Sequence, residues 1–264
     1  MYVKYEKDKK IHKKKISAQV LFGKLLQERA ETGRIYIMNI DHANSHSSFQ
    51  DKVSMSNLCQ EITLPTVPLQ HIDGDGEIAL CILSAINVGT LKDLDELEEL
   101  CEVAVRALDE IIDYQNYPVT AAEISTKARR SLGIGYIGLA HYLAKNQVKY
   151  GDKGAIKVVH ELTEAFQYYL IKASVELAKE KGKCEYFDRT KYAKGELPID
   201  HYKKDLDEVC SVKMKKNWDK LRKEIAEFGM RNSTLSAQMP SESSSVVSNA
   251  TNGIEPPRGF LSVK

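Results

Sequence analysis

Asn57-Leu58-Cys59-Gln60-Glu61-Ile62-Thr63-Leu64 sets an amide, a thiol and a carboxyl at every second position of a short run that stops at Pro65. In an extended chain alternate side chains share one face, so Asn57, Cys59 and Glu61 point together over roughly 14 Å of backbone. A second extended apolar run, Ile78-Ala79-Leu80-Cys81-Ile82-Leu83, carries another cysteine. The pattern predicts two adjacent strands with their thiols side by side, connected through Pro65, Pro68 and the turn Asp73-Gly74-Asp75-Gly76. Free cysteine is also among the most buried residue types, so two ordinary core cysteines fit this spacing equally well.

Around these runs lies an ordinary globular composition: 264 residues, 42% hydrophobic and 28% charged, enough for a substantial core and against disorder or a fibrous fold. With 38 Lys+Arg against 37 Asp+Glu the net charge is +1, which gives no global electrostatic case for nucleic acid or a membrane surface. The stretch from Lys4 to Lys15 is locally basic but is diluted by Glu6 and Asp8, and it reads as a solvated face. Cys59, Cys81, Cys101, Cys184 and Cys210 are odd in number, scattered and free of any CxxC, which points to a reducing cytoplasm rather than a secreted disulfide framework. The histidines do not join them at zinc spacing, so no structural metal is expected. No signal peptide or membrane span is expected either, since the first residues are charged and no apolar stretch is long enough.

Toward the N-terminus, Ile16, Val20, Leu21, Leu25 and Leu26 predict a helix that Gly33 ends. Arg34 to Ile40 then reads as a strand and Asp41 to Ser48 as a polar loop. Beyond Cys81, the stripe Leu94, Leu97, Leu100, Cys101, Ala104, Leu108, Ile111 and Ile112 predicts an amphipathic helix with Cys101 in the core. Further helices are expected from Thr120 through Leu143, from Gly154 to about Glu180, and from Trp218 to Phe228 before Gly229. Early strands and long later helices suggest a single α/β body.

Gly133-Ile134-Gly135-Tyr136-Ile137-Gly138 satisfies the GxGxxG pattern, but the residues before it, Thr126 to Ser131, are basic and helix-like rather than a hydrophobic strand. A dinucleotide site is therefore set aside, and the glycines are read as close helix packing. A thiol hydrolase built on Cys59 would need a histidine in reach; His42, His46 and His71 are near in sequence but form no signature. Glu61, two residues away, would raise rather than lower the thiol pKa, which suits a hydrogen-atom carrier better than a thiolate nucleophile. The stretch from Ser233 to Asn252 is dense in serine around Pro240; it is either a flexible linker or a turn whose N–H groups and hydroxyls face a phosphate.

Asn57-Leu58-Cys59-Gln60-Glu61, Gly76-Glu77-Ile78-Ala79-Leu80-Cys81, Arg231-Asn232-Ser233-Thr234-Leu235, Met239-Pro240-Ser241-Glu242-Ser243-Ser244 and Asn249-Ala250-Thr251-Asn252-Gly253-Ile254-Glu255-Pro256 together resemble the large catalytic subunit of class I ribonucleotide reductases. The resemblance runs from about Tyr2 to Lys264. It implies a helix-rich part of a ten-stranded α/β barrel, made of two antiparallel halves, with a central finger loop that carries a radical cysteine. Residues 1–264 would then be one partial barrel domain, with the N-terminal cone, the first half-barrel and the C-terminal tail lying outside it.

By the same resemblance Cys59 becomes the thiyl radical that takes the 3′ hydrogen of a ribonucleoside diphosphate. Glu61 takes the 3′ hydroxyl proton, and Asn57 holds the substrate hydroxyls and that carboxylate in register. Cys81 is one of two reducing cysteines, and Ser241, Glu242, Ser243 and Ser244 hold the substrate diphosphate. No cofactor is expected on the chain itself: a metal-containing small (beta) subunit supplies the radical, and an external dithiol of thioredoxin or glutaredoxin type supplies the electrons. Expected partners are that small subunit and the remaining segments of the large subunit, with no membrane and no nucleic acid. The second reducing cysteine, the tyrosine pair that passes the radical inward and the terminal cysteine pair have no counterpart in this sequence, so the chain alone is not expected to turn over. The alternative from a different class is an inactive structural or nucleotide-binding remnant of the same subunit.

Overall fold

The computed structural model describes residues 2–71, 74 and 76–259. The chain divides into two compact units, residues 1–39 and 40–264. In the first, α1 (Tyr2–Lys7) is followed by α2 (Ala18–Thr32). Gly33, in the left-handed region at φ 64°, stops α2 and donates its N–H to the Arg29 carbonyl, the ending its place in the sequence predicts. Neither helix buries a residue; Val20, Leu21, Phe22 and Leu26 of α2 are all exposed. Lys4 to Lys15 is exposed throughout, in line with a solvated basic face. The strand expected over Arg34–Ile40 does not form, since no described neighbour pairs with it and an unpaired strand leaves its backbone groups unsatisfied.

The second unit opens with α3 (Ile40–His46), a helix where a polar loop was expected. Asp41 sits in its first turn and His46 in its last, matching the helix dipole. Two of its polar side chains bond back within the turn, Asn44 Nδ2 to the Ile40 carbonyl and Ser45 Oγ to the Asp41 carbonyl.

The core forms where α4 (Glu96–Tyr114) packs along α7 (Lys153–Lys181) and both cover a small sheet. On α4 the buried positions are Leu97, Cys101, Val105, Leu108, Asp109 and Ile112. Leu100 and Ile111, expected in that stripe, are 40% and 42% exposed. Each lies one residue, about a 100° turn, from a buried position, so the true face is narrower than the apolar composition suggested. Asp109 is buried yet fully used, accepting from Arg130 Nε (2.6 Å), Asn232 Nδ2 (3.1 Å) and Arg231 Nε (3.2 Å).

The sheet consists of β1 (Ile82–Asn87) and β2 (Leu132–Ile137), parallel and in register from Ile82 opposite Leu132 to Asn87 opposite Ile137. β2 is buried along its whole length. It interrupts the single helix expected from Thr120 through Leu143, leaving α5 (Thr120–Arg129) before it and α6 (Leu139–Lys145) after it. Arg130, left-handed at φ 47°, makes the break and donates its N–H to the Thr126 carbonyl. The glycines of the GxGxxG pattern therefore lie in and just after a strand rather than packing helices. Gly229 ends α8 (Trp218–Phe228) as predicted, and the serine-rich stretch opens a short helix, α9 (Glu242–Val247).

The described residues of the second unit thus form a helix-rich α/β arrangement around an open two-stranded sheet; a closed ten-stranded barrel is not present among the described residues. The turn expected at 73–76 falls partly on Asp73 and Asp75, outside the described residues; across it, Val67 and Glu77 exchange antiparallel backbone hydrogen bonds. Among the described residues no helix is long and apolar enough to cross a membrane, and no group of three or more His, Cys, Asp or Glu side chains could hold a metal ion.

Candidate active site

Asn57 to Ile62 is a closed turn, not the extended strand its alternating pattern suggested. Asn57 N–H donates to the Ile62 carbonyl (3.3 Å), and Asn57 Oδ1 accepts from Ile62 N–H (3.1 Å). Inside it, Gln60 N–H reaches the Asn57 carbonyl (3.2 Å) with Gln60 in the left-handed region at φ 65°. An asparagine that bonds the backbone ahead of it offers the chain a turn in place of a ladder, which is why period-two spacing failed here. Cys59 stands exposed at the tip of this turn. Asn57 spends its side-chain oxygen on closing the turn and is itself exposed.

Cys81 immediately precedes β1 and is half-buried. A Cβ placed on Gly133 would lie 2.7 Å from Cys81 Sγ and 2.6 Å from Leu83 Cδ2, so the sulfur is seated in the space that a glycine opens on the neighbouring strand. Burial, reinforced by the negative charge of Glu61, pushes the Cys81 thiol up to about 12. That coupling brings together two of the residues singled out from the sequence: the Glu61 carboxylate acts on Cys81 from the end of the Cys59 turn. Glu61 Oε2 is buried and accepts no hydrogen bond from a described residue.

Along its other edge β2 meets residues 234–238. Leu132 N–H donates to Thr234 O (3.0 Å), Ile134 N–H to Leu235 O (2.8 Å), and Ala237 N–H returns to Ile134 O (3.1 Å). Side chains alternate across this small sheet. Ile86, Leu132, Ile134 and Tyr136 enter the core under α4 and α7, while Cys81, Leu83, Ala85, Gly133 and Gly135 share the opposite face. Gly135 is close to the Ala237 carbonyl and Met239 Sδ, which an added Cβ would approach to 2.4 and 2.8 Å. This close packing fixes the chain just ahead of the serine turn.

Ser241 caps α9 and is buried; its N–H donates to Asn252 Oδ1 (2.9 Å) and its hydroxyl to the Met239 carbonyl (3.1 Å). Ser241 therefore builds the turn, while Ser243 and Ser244 are exposed in the first turn of α9, where amides have no intrahelical acceptor. The segment after α9 ties back to the carboxyl ends of both strands, through Asn87 Nδ2 to Ser248 O (3.3 Å) and Gly138 N–H to Thr251 O (2.8 Å). Cys101 and Cys184 are buried and their thiols are pushed up to about 12, chiefly by burial. Gly133 and Gly135 were read as helix packing and Asn252 was given no role, although glycines inside a strand pattern signal a close approach.

These elements define an α/β protein whose small parallel sheet carries a thiol at one end, under the charge of a nearby carboxylate, and a serine-opened turn beyond its carboxyl ends. Residues 1–264 match the family model for the ribonucleotide reductase barrel domain, and the chain belongs to that family. It is 61% identical over 268 residues to the ribonucleoside-diphosphate reductase subunit alpha of Haemophilus influenzae. Identity is 59% to the subunit alpha of Buchnera aphidicola from Schizaphis graminum, and 56% to the ribonucleoside-diphosphate reductase 1 subunit alpha of Escherichia coli. All of this chain is covered in each case, but it spans only 35% of each relative's length.

Proposed function

We propose that this chain supplies the thiol-bearing catalytic region of a ribonucleoside-diphosphate reductase, as part of a ten-stranded barrel completed by the rest of a large subunit. The observation that carries the proposal is the seat of Cys81 over Gly133 under the charge of Glu61, in a chain of this family. A thiol kept protonated suits a group that must deliver hydrogen rather than attack as a thiolate.

In this reading Cys59, at an open turn tip, is the thiyl that removes the 3′ hydrogen and gives it back to the 3′ carbon once the 2′ carbon is reduced, which restores the thiyl. Glu61 takes the proton of the 3′ hydroxyl, and the Asn57 amide holds a substrate hydroxyl beside it. The C–O bond at the 2′ carbon breaks and a C–H bond forms there. The oxygen leaves as water, and Cys81 with a second thiol from outside this chain ends as a disulfide, so two thiols supply the two electrons and two hydrogens. Ser243 and Ser244, on a turn built by Ser241 and beside Glu242, receive the diphosphate. The radical comes from a metal-containing small subunit, and an external dithiol restores the cysteines. A cytoplasmic location fits that reducing chemistry.

The test is reconstitution of this chain with complementary large-subunit segments and small subunit, following deoxyribonucleoside diphosphate formation. Turnover should appear only in the full mixture and vanish with Cys59→Ser. Equal turnover of that variant would remove the assigned role.

A further inference from the structure

Arg129, at the end of α5, is 1% exposed, and its guanidinium holds two carboxylates. Nε donates to Glu77 Oε2 at 2.6 Å and Nη2 to Asp51 Oδ2 at 2.9 Å. Arg189 closes the group from the other side, with Nε 2.8 Å from the same Asp51 oxygen and Nη1 3.2 Å from Glu77 Oε1. Tyr186 stacks against both guanidinium groups, at 5.2 and 4.2 Å. Two cations and two anions make the cluster neutral, and the planar fork of Arg129 bridges the two carboxylates with one N–H to each, a geometry a lysine ammonium does not reproduce.

What the carboxylates are attached to gives the cluster its meaning. Asp51 lies six residues before Asn57, on the way into the Cys59 turn. Glu77 lies four before Cys81, and its backbone bonds Val67, on the way out of that turn. Between Val53, clasped on both backbone groups by Asn44, and buried Leu64, the Cys59 segment is held by backbone bonds internal to its own turn. One guanidinium therefore gathers the entry to one thiol segment, its exit, and the approach to the second thiol.

We infer that Arg129 is a positioning residue that sets the Cys59 turn and Cys81 in mutual register through Asp51 and Glu77. The inference rests on the reductase reading for its purpose, but its geometry can be tested apart from turnover. Arg129→Lys keeps the charge and loses the fork.

The experiment is pulsed alkylation of the full chain with iodoacetamide at pH 8.5, resolved by peptide mass spectrometry, with hydrogen exchange on the same samples. Arg129→Lys should speed Cys81 alkylation on the order of tenfold, the response to losing one charge-assisted hydrogen bond, with Cys101 unchanged. Asp51→Asn should speed amide exchange across 54–62 and leave Cys81 alkylation as it was. If Cys81 and Cys101 accelerate together in Arg129→Lys, the residue merely holds the fold and the inference falls; an unchanged Cys81 overturns it as well. Turnover of Cys59→Ser in the reconstituted enzyme decides the reductase reading separately, because the alkylation contrast does not depend on catalysis.

Discussion

At the scale of single residues the decisive pair is Glu61 and Cys81. The thiol is held protonated first by burial and second by the carboxylate charge, so Glu61→Gln should lower its pKa without returning it to the ordinary value. Alkylation of Cys81 at fixed pH near 9 should then rise several-fold, roughly the increase in thiolate fraction expected for one removed neighbouring charge; an unchanged rate would mean the two groups do not sense each other. Cys81, Cys101 and Cys184 also make stability depend on pH. Each is raised in the folded chain, so the unfolded chain loses these protons first as pH climbs above about 9, and the stabilisation drains away toward about 12. Thermal midpoints should therefore fall steadily above pH 9, and Cys184→Ala should flatten that fall. On the residue level the thiols, the carboxyl and the serines could be picked out as near-local patterns, but Glu61 was expected to act on the Cys59 thiol and its charge falls on Cys81 instead. Arg129 was invisible because its partners are 52 and 78 residues away.

Among the elements, β2 shows why local pattern reading stops short. Leu132-Gly133-Ile134-Gly135-Tyr136-Ile137 follows a helix with no turn signal, and its glycines look like helix packing until β1 and residues 234–238 are placed beside it. Strand identity here is decided by partners on both edges, which no window of sequence contains. The long helices were legible because their apolar positions recur every three or four residues and glycines stop them. The Cys59 run misled because alternation also describes a turn closed by an asparagine. Gly135→Ala tests the close packing: its Cβ would press on the Ala237 carbonyl, and overpacking of this kind costs about 1–3 kcal/mol. Chemical denaturation should show that loss. The serine turn should loosen with it, seen as faster exchange of the Ser241 amide now held by Asn252. Full stability and unchanged exchange would show that the segment yields without cost.

For the whole molecule, the family was legible from spaced motifs while the closed barrel was not to be found in these residues. The reason is physical. On the face away from the core residues 237–239 cover β2 but leave β1 open, with Leu83 exposed and Ala85 half-buried, and the apolar residues of α2 in the N-terminal unit are exposed. Such surfaces are completed by burial against something else. Mixing with the complementary large-subunit segments should raise the thermal midpoint of this chain in a concentration-dependent way, as linkage requires for any partner that binds the folded form; a midpoint independent of those segments would speak for a self-sufficient remnant.

On the proposed reading, Cys59, Cys81 and the serine turn at Ser243 and Ser244 serve one bound nucleotide. The most direct measurement is the alkylation rate of both cysteines in the assembled large subunit as a ribonucleoside diphosphate is titrated in. The account predicts that both rates fall together with one half-saturating concentration, and that Ser243→Ala with Ser244→Ala shifts that concentration upward for both. Protection of one thiol alone, or of neither at saturating diphosphate, would contradict it.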